Sequence, residues 1–325
     1  MPEIVAVDIG GTHARFAIAE IRDGRVAGLS NEVVLKAADF ASLQTAWEAF
    51  GDRLGRTLPR AAGLAVACPV DGAVLQLTNN PWVIRPALIP EKLGVDRYAI
   101  VNDFGAVGHA VAHLGEGHFR HLCGPDAPLP QVGVISIVGP GTGLGVAMVS
   151  RSPAGTRILE TEGGHADFSP LDALEDQILA LLRQSFRRVS IERVVSGPGL
   201  ANIYGALAAI EGRAVASMPD ADLWALALSG RDSLAAAAFD RFCLSLGAAA
   251  GDIALTQGAA AVVIAGGLGL RLADRLAASG FEGRFRAKGR FEGRMAAMPV
   301  KLITYPEPGL FGAAAAFVQQ HGADL

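Results

Sequence analysis

Residues 4–18, IVAVDIGGTHARFAI, decide the fold. Ile4–Asp8 is an apolar run ending in an acid, Gly10-Gly11-Thr12 follows as a turn, and Arg15–Glu20 resumes an apolar run. Short apolar runs bounded by turn residues read as buried strands, and their return as a hairpin. The same device recurs from Val132, where VGVISIV leads through GPGTGLG into VAMVS. Gly141-Thr142 stands where Gly11-Thr12 stands, so the chain reads as two related halves, each opening on a strand, a glycine turn and a strand.

Outward from these units, Leu43, Trp47, Phe50 and Leu54 recur at helical spacing and predict a helix over Ser42–Gly55. Strands are expected at Gly63–Ala67 and at Tyr98–Val101, the latter feeding a turn at Asn102-Asp103 and a helix through His113. Mostly helical sequence runs from Leu171 to Gln257 with breaks near Gly197 and Gly230. A strand at Val262–Ala265 ends in Gly266-Gly267, and a strand at Val300–Thr304 and a helix from about Gly309 close the chain. Mixed strands and helices on this scale form α/β sheets covered by helices.

The 325 residues suit two packed domains rather than one small core. Half of them are apolar (51%) and 18% charged, which excludes a disordered chain. A net charge of -4 with no Lys/Arg block offers no general attraction to nucleic acid or anionic lipid. Cys68, Cys123 and Cys243 are odd in number and lack CxxC spacing, which fits neither a disulfide framework nor a zinc site and suits a reducing cytoplasm. The N-terminus reads as a first strand rather than an export signal. The apolar stretch from Gly258 falls short of the ~18–20 residues a membrane span needs.

A glycine-rich turn lets backbone N–H groups approach phosphate oxygens, since no side chain blocks them and positive φ is free of cost. Two such turns could clamp a polyphosphate, with Thr12 and Thr142 adding hydroxyls and Asp8 holding Mg2+ directly or through water. Either turn alone also reads as a plain hairpin. Neither matches GxxxxGK[ST], because no Lys follows, and neither opens a helix as the dinucleotide motif does. Asn102-Asp103 on its own reads first as a turn or helix cap, the alternative being a carboxylate placed to accept the proton of an attacking hydroxyl. Glu162 and His165 flank a flexible double glycine in EGGH, suited to hydrogen-bonding sugar hydroxyls, and His165 has no second histidine at zinc spacing. Glu192 reads either as a surface or capping carboxylate or as a ligand. Gly266-Gly267 in VVIAGGLG allow either close approach of a nucleotide or tight helix packing.

Taken together and in order, DIGGTHARFAI, VNDFGAV, GPGTGLGVA, EGGHADF, IERVVSGPGL and AGGL resemble the bacterial glucokinase family, within the superfamily of actin, heat-shock chaperones and sugar kinases. The likeness runs from Asp8 to PGLFGAAAAF at 308–317. It implies a two-domain actin-like and hexokinase-like (ribonuclease H-like) α/β fold with an interdomain cleft. Residues 1–110 plus about 306–325 would form the small domain, and 111–305 the large one. It further implies Asp103 as the catalytic base, and Asn102, Asp103, Glu162, His165 and Glu192 as glucose-binding residues. Asp8, Gly10, Gly11 and Thr12 would form the first ATP-binding motif and Gly141 and Thr142 the second, with Gly266 and Gly267 near the adenosine. The expected reaction is ATP- and Mg2+-dependent phosphorylation of glucose at the 6-hydroxyl, by a cytoplasmic homodimer that engages neither nucleic acid nor membrane. The zinc motif of larger repressor and sugar kinase relatives is missing from this sequence. A kinase for another hexose or an amino sugar, and a sugar-independent actin-like ATPase, are the rival readings. A DNA-reading regulator would need a helix-turn-helix, for which the residues before Asp8 offer no segment.

Overall fold

Strand β1 (Glu3–Ile9) is apolar on both faces. Successive side chains of a strand point to opposite sides. Val5, Val7 and Ile9 therefore join one buried cluster with Trp47 and Phe50, while Ile4 and Ala6 join another with Leu310, Ala314 and Phe317. The helix Leu43–Leu54 supplies the first cluster and the last helix, Pro308–His321, the second. A sheet with helices on both faces follows from that uninterrupted apolar run.

The computed structural model describes residues 2–77 and 80–322. They divide into one unit of Met1–Leu114, Ile158–Glu160 and Tyr305–Leu325 and another of Gly115–Arg157 and Thr161–Thr304. In the first, β2 (His13–Arg22) and β3 (Arg25–Lys36) make an antiparallel meander with β1. β4 (Ala61–Val66) runs parallel to β1; β5 (Leu75–Gln76) and β6 (Val83–Ile84) form a separate ribbon; β7 (Arg97–Asn102) runs parallel to β4. The sheet order is β3-β2-β1-β4-β7. Helix Leu43–Leu54 starts at a capping box between Ser42 and Thr45 and stops at Gly55, whose φ of 64° is left-handed.

The second unit carries β8 (Phe119–Cys123), β9 (Gly133–Pro140), β10 (Leu144–Ser152), β11 (Gly155–Thr161), β12 (Ala261–Ile264) and β13 (Val300–Ile303), ordered β11-β10-β9-β12-β13-β8. Apart from the added edge strand β8, this is the order of the first sheet, and β9, β12 and β13 are mutually parallel as β1, β4 and β7 are. The repeat read from the two glycine turns thus extends to whole sheets, and the architecture is the mixed α/β one expected. The region expected to be mostly helical resolves into Ala173–Ser185, Gly199–Ile210, Asp220–Ser229 and Ser233–Gln257. Ser233–Gln257 is long and apolar enough by length and composition to cross a membrane, yet most of it is buried in the core of this unit.

Candidate active site

Each expected phosphate turn is three residues long. Gly10–Thr12 joins β1 to β2 and Gly141–Gly143 joins β9 to β10. Gly10 donates its N–H to the His13 carbonyl (2.9 Å) and accepts from Asn80 Nδ2 (2.9 Å). Gly141 donates to the Gly143 carbonyl (2.8 Å) and accepts from the Gly197 N–H (2.7 Å). Both turns are thus anchored from outside, with Thr12 and Thr142 exposed.

One part of the sequence reading is corrected here: none of the glycines in these turns has a positive φ. Space explains them better. A side chain at Gly141 would meet no protein atom within 4 Å, and at Gly10 only an ordinary contact, 3.6 Å from the His13 carbonyl. Each turn is therefore open at its first glycine, whereas in the second turn Gly143 packs against the Glu192 carboxylate, where a Cβ would collide. Gly266 is different, because its φ is 81° and a Cβ would lie 2.7 Å from the Pro140 carbonyl. It is held by packing against the end of β9, beside the second turn, while Gly267 faces open space.

Asp8, near the end of β1, is paired in register with Arg15 of β2. Arg15 Nη1 lies 3.7 Å from Asp8 Oδ2, and Arg15 Nε lies 3.2 Å from Glu307 Oε2. Burial pushes Asp8 up to about 6; Arg15 opposes that shift, and the charges of Asp103 and Glu307 add to it. The Glu307 carboxyl is also raised, mainly by burial. Arg15 and Glu307 were missed in the sequence because only hairpin register and the return of the chain's end bring them to Asp8.

At the end of β7 the two readings of Asn102-Asp103 separate. Asn102 is the N-cap of helix Asp103–His113: its Oδ1 accepts from the Phe104 N–H (2.8 Å) and the Gly105 N–H (3.3 Å). Asp103 follows as the first helical residue, and its Oδ1 shares the Phe104 N–H, accepting from it at 2.8 Å. Asn102 is thus the N-cap and alone accepts from Gly105, while the Asp103 carboxylate sits at the positive end of the helix. Its charge is felt at Asp8 and at Glu160, whose carboxyl is raised by burial first and by Asp103 in addition. Glu160, on the exposed strand β11, has no signal in the sequence.

In the second unit Glu162 and His165 bracket a 3-10 turn, 3.9 Å apart at Oε2 and Nε2, both well exposed. The double glycine between them is packed rather than flexible: Gly164 is buried, and a Cβ there would run into the backbone of Leu144. Thr161 Oγ1 donates to the Val146 carbonyl (3.2 Å) and Ile191 donates its N–H to the Ala166 carbonyl (2.8 Å). These bonds set the EGGH and IER segments side by side. Glu192 is neither a stray surface acid nor a helix cap, since its Oε2 accepts from the Leu144 N–H (2.9 Å) at the second turn. So the first unit gathers Asp8, Gly10, Gly11, Thr12, Asn102 and Asp103, and the second gathers Gly141, Thr142, Glu162, His165, Glu192, Gly266 and Gly267.

Among known proteins, the family model described as glucokinase matches residues 5–320. The glucokinase of Zymomonas mobilis is 63% identical over 319 residues, covering 98% of this chain and 98% of its own length. That of Paramagnetospirillum magneticum is 41% identical over 317 residues, covering 96% of each. The crystal structure of a glucokinase from an Antarctic psychrotroph superposes with a TM-score of 0.86 at 32% identity, covering 98% of this chain and 99% of that one.

Proposed function

We infer the reaction from one premise, that this chain belongs to the glucokinase family. It is an ATP-dependent hexose kinase that phosphorylates glucose at the 6-hydroxyl, giving glucose 6-phosphate and ADP. We assign Asp103 as the base, and the observation that carries this is its place as the first residue of the helix that Asn102 caps, with its charge felt at Asp8.

In the step so assigned, the glucose 6-oxygen forms a bond to the γ-phosphorus as the bond to the β,γ-bridging oxygen breaks. Asp103 accepts the hydroxyl proton, and ADP leaves with the electron pair. The transition state is loose, so positioning and charge stabilisation dominate. Backbone N–H groups of Gly11, Thr12 and Thr142 approach phosphate oxygens, while those of Gly10 and Gly141 close the turns on the His13 and Gly143 carbonyls, and the Thr12 and Thr142 hydroxyls donate further bonds. Asn102, Glu162, His165 and Glu192 hydrogen-bond the sugar, with Glu192 already pinned to the second turn through Leu144. Gly267, with open space above it, leaves room for the adenosine beside Gly266.

The donor chemistry near Asp8 fits magnesium. Asp8 is a hard oxygen donor amid the charges of Asp103 and Glu307, and no cluster of three ligating side chains exists among the described residues. An ion held by one carboxylate, waters and substrate phosphates is the usual magnesium arrangement. When bound, magnesium neutralises charge on the phosphates.

The reading carries a cytoplasmic homodimer with it; the three buried, unpaired thiols suit a reducing compartment, and mass measurement in solution tests the assembly. The activity itself is tested by ADP release across glucose, other hexoses and amino sugars. Glucose-stimulated release is expected; stimulation by another sugar alone, or hydrolysis indifferent to sugar, would replace the assignment.

A further inference from the structure

A helix N-cap residue leaves two needs at its end: the free N–H groups of the first turn, and its own backbone N–H. In a capping box, a Glu or Gln at the third helical position reaches back to satisfy the second. Helix Asp103–His113 has Asn102 as cap and Gly105 at that third position, which has no side chain to reach with. The missing carboxylate arrives from elsewhere in the chain. Glu160 of β11 places Oε1 3.3 Å from the Asn102 backbone nitrogen, and that oxygen occupies the volume a Gly105 side chain would fill.

The placement is supported one turn further on. Ile158, two residues earlier and so on the same face of the strand, fills the space above Gly108, where a Cβ would lie 2.6 Å from Ile158 Cγ2. Gly105 and Gly108 lie three apart on one helix face, and together they form a notch that receives Glu160 and Ile158. Although Glu160 as a whole is exposed, its carboxyl end is seated in this notch. All four residues group with the first unit, although the rest of β11 does not.

We propose that Glu160 is a positioning residue for phosphoryl transfer: it completes from β11 the capping box that Gly105 cannot, and so fixes the backbone step that carries Asp103. The proposal rests on Asp103 being the base. A base displaced by even about 1 Å from its near-attack geometry loses rate by up to roughly a hundredfold. Substrate binding at the phosphate turns is left out of this effect, since Glu160 touches neither.

The test compares E160A, E160Q and G105A, with D103N alongside. E160A is expected to lower kcat by roughly tenfold with KM for ATP within about twofold of wild type, a loss confined to the reacting geometry. E160Q keeps an acceptor oxygen at the same reach and is expected to return kcat to within about threefold. G105A improves the helix's intrinsic propensity but fills the Glu160 seat, so it should lose as much kcat as E160A, and the double variant should lose no more than either. G105A is read even where E160A fails to fold. Wild-type kcat in E160A or G105A, equal losses in E160A and E160Q, or additive losses in the double variant would each overturn the proposal. Retained turnover in D103N would instead remove the base assignment itself, an outcome distinguishable from all of these.

Discussion

Asp8 and Arg15 face one another across the first hairpin, with Arg15 Nη1 3.7 Å from Asp8 Oδ2, and yet Asp8 remains hard to ionise because burial outweighs the arginine. Its folded value of about 6 stands above the unfolded value near 3.8. The sign follows: the unfolded chain releases the proton first, so ionised Asp8 destabilises the fold as pH rises. Asp8→Asn should therefore stabilise the protein by about 2–3 kcal/mol above pH 6, the gain growing from about pH 4 to 6 and then levelling. Denaturant unfolding at several pH values measures this. A destabilised D8N at pH 8 would contradict it, and the same variant should lose most of its turnover.

Because Asn102 holds the cap, Asp103→Asn and Asn102→Ala should part company. D103N is expected to keep its melting temperature and lose roughly a thousandfold in kcat. N102A is expected to lose about 1 kcal/mol of stability, the usual cost of removing a cap. Thermal melts on the two proteins test whether the N-cap stability resides in Asn102, and steady-state kinetics on D103N test the base.

Glycines of the second half should also behave unlike one another. Gly141→Ala adds a methyl group that meets no protein atom, so the fold should be unchanged while KM for ATP rises by about tenfold or more, since the methyl group intrudes on the phosphate approach. Gly266→Ala meets the Pro140 carbonyl and an unfavourable φ, and should cost roughly 1–3 kcal/mol. A normal KM for ATP in G141A would remove the phosphate role of that turn.

His109 is buried on helix Asp103–His113, its Nδ1 without a hydrogen-bond partner, stacked on His113 at 6.3 Å. Burial, with His113 in addition, pushes it down to about 4. With the folded value below the unfolded one near 6.5, its contribution is complete above about pH 6.5 and is lost as pH falls toward 4. His109→Phe should flatten that part of the stability curve by up to about 2–3 kcal/mol, as unfolding at pH 7.5, 6 and 4.5 would reveal.

What the sequence disclosed followed burial. β1, β2, β9 and β10 are apolar enough to announce themselves, as are the helices with Trp47 and Phe50 or with the 308–317 run. β3 and β11 face solvent along most of their length, so their residues are mixed and no periodicity survives. That is why Glu160 was invisible while Glu162, in a recognisable motif, was not. Arg15 lay in plain view within DIGGTHAR, but its partnership with Asp8 depends on register, and with Glu307 on a tertiary return no local pattern encodes. The double glycine at 163–164 shows the opposite difficulty: glycine signals both looseness and close packing, and only the Leu144 backbone beside it decides.

The last helix also sets an order of events during synthesis. Ile4, Ala6, Ala17, Ala19 and Ala99 of the first sheet are covered by Leu310, Ala314, Phe317 and Val318 of that helix. A ribosome thus delivers this greasy face before the second unit and its lid after it, since every residue of the second unit lies between the two in the chain. Until that helix emerges, the face is exposed to neighbouring nascent chains and to chaperones. A stop codon after Thr304 would spare every residue assigned to phosphate and sugar, yet strand the first sheet permanently in that sticky, unfinished state.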